Sequence, residues 1–380
     1  MKKSILLFLI LTTAISCNKD QEPTEILKEF ERTLPEAGNQ VANKIIRVGN
    51  EVFIIGTNSN GNNSHILLLK TDLDGNVLWK RNIDVPNNTE GNDLICNSQN
   101  DLILVASVID DSGDKNMLLI KTDGNGNPIW KKTFGGSAND AGRSVIELSS
   151  GGYMLLGTTG SFGAGVASMY VIRTDTDGNE IWSRTFGGFS LDGGSELVQA
   201  NANEVLLLGF TQSFGAGDRD IYLQAVSLNG DSLWSSTYGG AAYEESQAIR
   251  KTTDGGYVLS SHSASQEPNH SLHALRLSEN GSIIWEQHFG TPTQHEGGEG
   301  VLEDSEDNFV FVGYSSSNNN AEQAYLIKTD ATGNLLSTQN FGGAGNQRIT
   351  DLIETKLSYF IVGTSEQNND ADIFLLKVPK

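Results

Sequence analysis

Trp79, Trp130, Trp182, Trp234 and Trp285 stand 51, 52, 52 and 51 residues apart, and they are all the tryptophans of the chain. Ser337 continues the series 52 residues after Trp285, and Phe30 precedes Trp79 by 49. A period of about fifty marks a repeat architecture whose units cannot bury their apolar faces alone and therefore stack to share a core. Seven copies are present once the two that lack Trp are counted.

Each copy reads as four short strands. In the third they are Ser144–Leu148, Tyr153–Gly157, Met169–Asp175 and Glu180–Phe186, each β-branched or aromatic and each bounded by Gly, Asn, Asp or Ser. The third and fourth strands of successive copies meet at Asp74-Gly75, Asn125-Gly126, Asp177-Gly178, Asn229-Gly230, Asn280-Gly281 and Thr332-Gly333. Such pairs supply the positive φ of a tight hairpin. Helix-period patterns are absent. Consecutive antiparallel hairpins repeated seven times predict an all-β, seven-bladed β-propeller with four antiparallel strands per blade.

The ends of the chain predict how the ring closes. Ile26–Leu34 aligns with Pro128–Phe134 as an outermost strand without a blade, while Ile349–Ile353, Tyr359–Gly363 and Ile373–Val378 are three strands lacking a fourth. One plus three completes the seventh blade and leaves no open sheet edge.

The phrase from Lys121 to Trp130, with Asp123 seven residues before the Trp, resembles the tryptophan-docking motif of pyrroloquinoline-quinone-type propellers. It recurs at Asp72/Trp79 and Asp175/Trp182, and in degraded form at Ser227/Trp234, Ser278/Trp285 and Asp330/Ser337. The resemblance implies that Trp79, Trp130, Trp182, Trp234 and Trp285 dock between neighbouring blades, and it implies no catalytic residue. Gly151–Gly157 and Thr133–Gly136 also resemble repeat lipoproteins and secreted proteins of Bacteroidota, a group with no shared activity to carry over.

The first residues read as an address. Met1-Lys2-Lys3 is a basic start, Ile5–Ile10 opens a short apolar run, and Ala14-Ile15-Ser16 puts small residues ahead of Cys17. The run is too short for a transmembrane helix and fits a lipoprotein signal. The expected organisation is a signal peptide at 1–16, a lipidated Cys17 with a tether at 17–25, and the propeller at 26–380. Multiple acyl chains on Cys17 would anchor the protein stably. Asn18–Glu22 resembles the charged export signal of surface lipoproteins in Bacteroidota, so an outer-membrane lipoprotein displayed at the cell surface is favoured over one facing the periplasm. The tether of about eight residues, at ~3.5 Å each, keeps the propeller within ~30 Å of the membrane.

The formal charge of −21 falls by two more when Lys2 and Lys3 leave with the signal. That balance opposes nucleic acid and bare anionic lipid as partners. Cys96 is the one cysteine besides Cys17, so an intrachain disulfide is excluded in the lipidated protein; Cys96 reads as a buried structural thiol on the innermost strand of blade two. A chain of this length buries enough core to fold without one, and a monomer is expected.

Binding residues are expected on the face that carries the longer loops Gly160–Gly165, Gln212–Gly217, Ser263–His270 and Ser315–Glu322. Ten residues after each Trp position come Gln40, Thr89, Asp140, Asp192, Glu244, His295 and Gln347. The candidate ligand face is built on Asp140, Asp192, Glu244, His295, Glu296, His262 and His270, where an acidic ring would hold Ca²⁺ or sugar hydroxyls. The preferred reading is plainer: each side chain caps its own turn. His262, His270 and His295 with a carboxylate suit Zn²⁺ chemically, yet His270 and His273 are three apart and so point opposite ways in a strand; polar loop filling is preferred, and no metal or cofactor is assigned. The two Ser-Phe-Gly-Ala-Gly loops lack the Lys and the strand-to-helix setting of a phosphate loop.

No nucleophile elbow or HExxH is present, and the cysteine pair of quinone-dependent dehydrogenases cannot form. Three functions are expected in this order. The first is a non-enzymatic propeller binding a glycan or an outer-membrane protein. The second is a periplasm-facing assembly scaffold, by resemblance to the propeller lipoprotein of the outer-membrane assembly machinery, which is eight-bladed. The third is a carbohydrate hydrolase using two of the 47 acidic residues.

Overall fold

The computed structural model describes residues 28–265, 270–291, 293–316 and 321–380. The expected signal, Cys17 and tether lie outside the described residues. Twenty-eight strands form seven four-stranded antiparallel sheets, and no helix occurs among the described residues. Blades one to six are built in chain order, strand A innermost and strand D outermost, at 39–82, 89–134, 140–186, 192–238, 244–289 and 295–341. The chain is a seven-bladed β-propeller.

Blade seven takes its three inner strands from Asn346–Glu354, Ser358–Gln367 and Asp370–Pro379 and its outer strand from Phe30–Leu34. Phe30 pairs with Lys377 and Leu34 with Ile373, so the first strand covers the edge that the last would expose. The observed first strand begins at Phe30, four residues later than the expected Ile26; residues 26 and 27 lie outside the described residues.

The core sits between blades. Strands B and C are apolar on both faces, as in Leu102–Ile109 and Met117–Ile120, because each sheet is covered by a neighbour on either side. Strand D alternates, with Ile129, Ile181 and Ile284 exposed on the rim. Each C–D hairpin is closed by an Asx or Ser side chain: Asp123 Oδ1 accepts from the amides of Asn125 and Asn127, both at 2.9 Å. Asp330 does the same with Thr332 and Asn334, and those bonds hold its carboxyl at about 2.

The indoles lie over the neighbouring blade's hairpin. A Cβ on Gly178, at φ +76°, would stand 2.7 Å from Trp130, and the same contact recurs between Gly126 and Trp79, Gly230 and Trp182, Gly281 and Trp234, and Gly333 and Trp285. Glycine therefore answers two demands at once, the left-handed backbone and the indole above it. Trp182 and Trp285 also donate Nε1–H to the carbonyls of Leu228 and Ala331 in the next blade, both at 3.1 Å. The rings are half-buried, because strand D is the outer edge of each blade. In blade seven Phe30 takes the place of Trp over Gly75.

Candidate functional site

Every strand A carries a β-bulge at one level of the axis. The register slips between Ala42 and Lys44, Gly91 and Asp93, Gly142 and Ser144, Gly194 and Glu196, Ser246 and Ala248, Gly298 and Gly300, and Ile349 and Asp351. The residues left unpaired are Asn43, Asn92, Arg143, Ser195, Gln247, Glu299 and Thr350, and all seven line one axial cavity of about 980 Å³. A bulge re-aims the side chain it carries, and seven together make a ring. The cavity rises to Ala138, Gly160 and Val166 in the D–A and B–C loops, so it opens on the face of the longer loops.

The floor is an ion network spanning blades one, four, five and seven. Lys44 Nζ lies 2.6 Å from Glu196 and 3.6 Å from Asp351, and Arg250 reaches the same two carboxylates. Each acid also ties its blade to the next: Glu196 accepts from the Ile249 amide at 2.8 Å, Asp351 from Ile45 at 3.2 Å, and Asp93 from Val145 at 2.9 Å. Burial works to raise the Glu196 carboxyl, but Arg250 and Lys44 outweigh it and hold it at about 2. Asp93 is pushed up to about 6 by burial, which Lys44 only partly offsets. Two buried acids with pKa values driven apart are the raw material of acid–base chemistry. Here, however, Asp93 also receives the Leu94 amide and the Ser144 hydroxyl, and Glu196 is spent on two cations.

The wall is mixed in character. Arg143 is exposed and has no hydrogen bond or ion pair among the described residues. Arg219, by contrast, binds Glu245 at 3.0 Å and lies over Phe210, and Arg348 is held by Glu322 over the Tyr314 ring. His262 packs edge-on against Tyr314 with Nε2 3.6 Å from Glu299. On the rim Val166 is 74 % and Phe189 87 % exposed.

The carboxylates expected at the mouth lie inside the turns. Asp140 is fully buried and accepts from the Gly136 amide at 2.6 Å, from Ser161 at 2.7 Å and from Thr159. Asp192 repeats this with Gly188, Ser213 and Thr211, and Glu244 with Gly240, Ser263 and Ser265. In blade six the equivalent position is Glu296, not His295. Gly298 opposite Gly313 matches Gly142 opposite Gly157, which places Glu296 where Asp140 stands. The preceding loop holds one extra residue, so counting from the Trp slips by one. Burial pushes Glu296 up to about 7. His295 is exposed, its ring 5.7 Å from that of His270, while His262 contacts Glu299 and Tyr314 instead. Cys96 is half-buried against the core between blades one and two, and burial raises its thiol.

The bulge ring was not singled out in the sequence. Its signal is a slot thirteen residues after each Trp position, fourteen in blade six, filled by Asn, Arg, Ser, Gln, Glu or Thr in an otherwise regular strand.

No family model matches the chain, and no curated protein matches it. Solved structures share its fold. A puromycin hydrolase aligns with a TM-score of 0.57 at 14% identity, over 89% of this chain and 52% of that one, so the chain spans about half of the hydrolase's length. A structure described as YCF48 bound to D1 peptide aligns with a TM-score of 0.55 at 10% identity, over 94% of this chain and 96% of that one. A protein of unknown function from Bacteroides caccae aligns at 10% identity over 76% and 93%, with a TM-score of 0.47.

Proposed function

We propose that the chain is a non-enzymatic binding propeller of the bacterial cell envelope, anchored through Cys17, whose axial cup receives an oligosaccharide. The observation that supports this most directly is the ring of bulge residues around an axial cavity of about 980 Å³, the upper end of the size range of ligand pockets. Asn43 and Asn92 donate their amide groups to the Gly91 and Gly142 carbonyls and so present their Oδ1 as acceptors, Gln247 offers both donor and acceptor, Glu299 accepts, and Arg143 donates from a side chain that has no partner among the described residues. Val166 and Phe189 give the rim apolar surface for the flat face of a sugar ring. Commitment of Asp93, Glu196 and Asp351 to cations and amides favours binding over hydrolysis. The lipoprotein reading rests on residues 1–22 alone and places the protein at the outer membrane, with the cell surface preferred.

The test is a glycan array probed with the full propeller and with Arg143→Ala and Gln247→Ala. Loss of at least about tenfold in affinity for a glycan hit supports the reading, since each variant removes a hydrogen bond from a desolvated ligand. Binding indifferent to both variants, or no hit, sinks it; turnover of a polysaccharide would replace it with a hydrolase. Radiolabelled fatty acid should enter wild type and not Cys17→Ala, and external protease should cut the propeller on intact cells. A labelled but protected propeller would point to a periplasm-facing scaffold, which the exposed Phe189 and Val166 also suit.

A further inference from the structure

The repeat supplies its own comparison for one cross-strand pair. Where strands C and D meet, the residues facing the preceding blade are Tyr170 and Thr185 in blade three, and Tyr222 and Thr237 in blade four. Two residues before the Thr comes Ser183 or Ser235, close to the tyrosine hydroxyl. In blade five all three positions change together: the pair is His273 and His288, and the residue two before is Glu286. The pair varies elsewhere, with Leu67 and Asn82 in blade one, Leu118 and Thr133 in blade two and Tyr325 and Asn340 in blade six, but only blade five brings two imidazoles and a carboxylate together there. The other described blades fill this pair without a histidine, so packing does not call for two imidazoles there.

The geometry gives a reason for them. His273 Nε2 is 2.8 Å and His288 Nε2 3.6 Å from the same oxygen, Glu286 Oε1. The two rings are stacked, 4.4 Å between centroids and 3° from parallel, so their Nε2 edges face one way. One donor atom from each side chain lies within 4.8 Å of the others. His288 Nδ1 sits 3.2 Å from Ser271 Oγ, a contact of the kind that fixes the tautomer of a ligating histidine and leaves its Nε2 lone pair free. His273 is 1% exposed and its Nδ1 has no hydrogen-bond partner, whereas Glu286 opens to solvent.

We propose that His273, Glu286 and His288 bind one divalent cation of the zinc type at the seam between blades four and five. Two nitrogens and one carboxylate oxygen suit Zn²⁺ or Co²⁺ and not Ca²⁺, which takes oxygen ligands. With metal–nitrogen bonds of about 2.0–2.1 Å, tetrahedral donors stand roughly 3.3 Å apart, a separation that side-chain rotation reaches from the present positions. Solvent on the Glu286 side supplies the fourth ligand. The site lies away from the axial cup and does not depend on what the cup binds.

The experiment uses the full propeller stripped with chelator, then titrated with Zn²⁺ by calorimetry and with Co²⁺ by visible absorption. One saturable equivalent is expected, with the intense bands of four-coordinate Co²⁺. Glu286→Gln should weaken binding by at least about tenfold, as removal of a ligand or its support does. His273→Tyr combined with His288→Thr restores the pair of blades three and four, so this variant should fold normally and bind no metal. His270→Ala combined with His295→Ala, the other neighbouring histidines, should bind as wild type. Absence of saturable binding, survival of binding in the Tyr/Thr variant, or its loss in the His270/His295 variant would each overturn the proposal.

Discussion

Trp182 holds two blades together with one side chain. Its ring covers Gly230 and its Nε1–H donates to Leu228, so truncation removes both a contact surface and a hydrogen bond. Trp182→Ala should cost about 2–4 kcal/mol by urea unfolding, below the full cost of a buried Trp because part of the ring already meets water. Glu296 gives a second expectation at this scale. Its carboxyl is raised to about 7 by burial against an ordinary value of 4.5. The native state therefore keeps a proton that the unfolded chain gives up, and stability falls as pH rises from 4.5 through 7. Glu296→Gln should flatten that part of the stability–pH curve; an unchanged slope would mean that another group carries it. The roles of Trp, of the Asp seven residues before it and of the hairpin glycine were legible because they recur at fixed spacing. The identity of Glu296 as the turn cap was not, because one extra loop residue shifts the count. The His273–Glu286–His288 cluster was also hidden, since only strand pairing puts residues of two strands face to face.

At the scale of the element, the strand Phe30–Leu34 is short and half-exposed, yet among the described residues it is the one strand that covers the outer edge of Asp370–Pro379. Without it, the unpaired groups of Ile373 through Lys377 form an apolar edge ready to pair with another chain. A chain lacking residues 1–34 should elute as oligomers in light scattering and precipitate on warming; a stable monomer would show that the clasp is dispensable. This element was readable because its sequence fits the fourth-strand pattern. The bulges were not, because the polar slot that follows each Trp position marks a recurring place in strand A without announcing that its residue will be left unpaired. Only the preceding Gly of blades two to four and six hints at it, where a Cβ on Gly142 would meet Ala106 at 2.9 Å and one on Gly194 would meet Gly157 at 2.8 Å.

Across the whole molecule, the ion network under the cup ties together blades distant in sequence: Lys44 is in blade one, Glu196 in blade four, Arg250 in blade five and Asp351 in blade seven. Glu196→Gln leaves two cations with one carboxylate, and breaking a buried pair costs about 3–5 kcal/mol. Urea unfolding should show that loss as a lower midpoint, and it should narrow as wild type is acidified. The sign follows from the depressed carboxyl: its contribution is complete above the ordinary 4.5 and is lost as pH falls through about 2. Neither the network nor the cup it closes was predictable, because it depends on side chains from four blades meeting on an axis.

That closed floor has a consequence for how the molecule is mounted. The first strand leaves the C–D side of blade one, where Lys28 approaches Asp74 and Phe30 covers Gly75, and Lys380 ends beside Ser305 in an A–B turn. Both ends of the described chain therefore depart from the underside, while the cavity opens on the other face. The propeller behaves as a bowl held by its base: a leash or a fused enzyme at either terminus leaves the mouth clear.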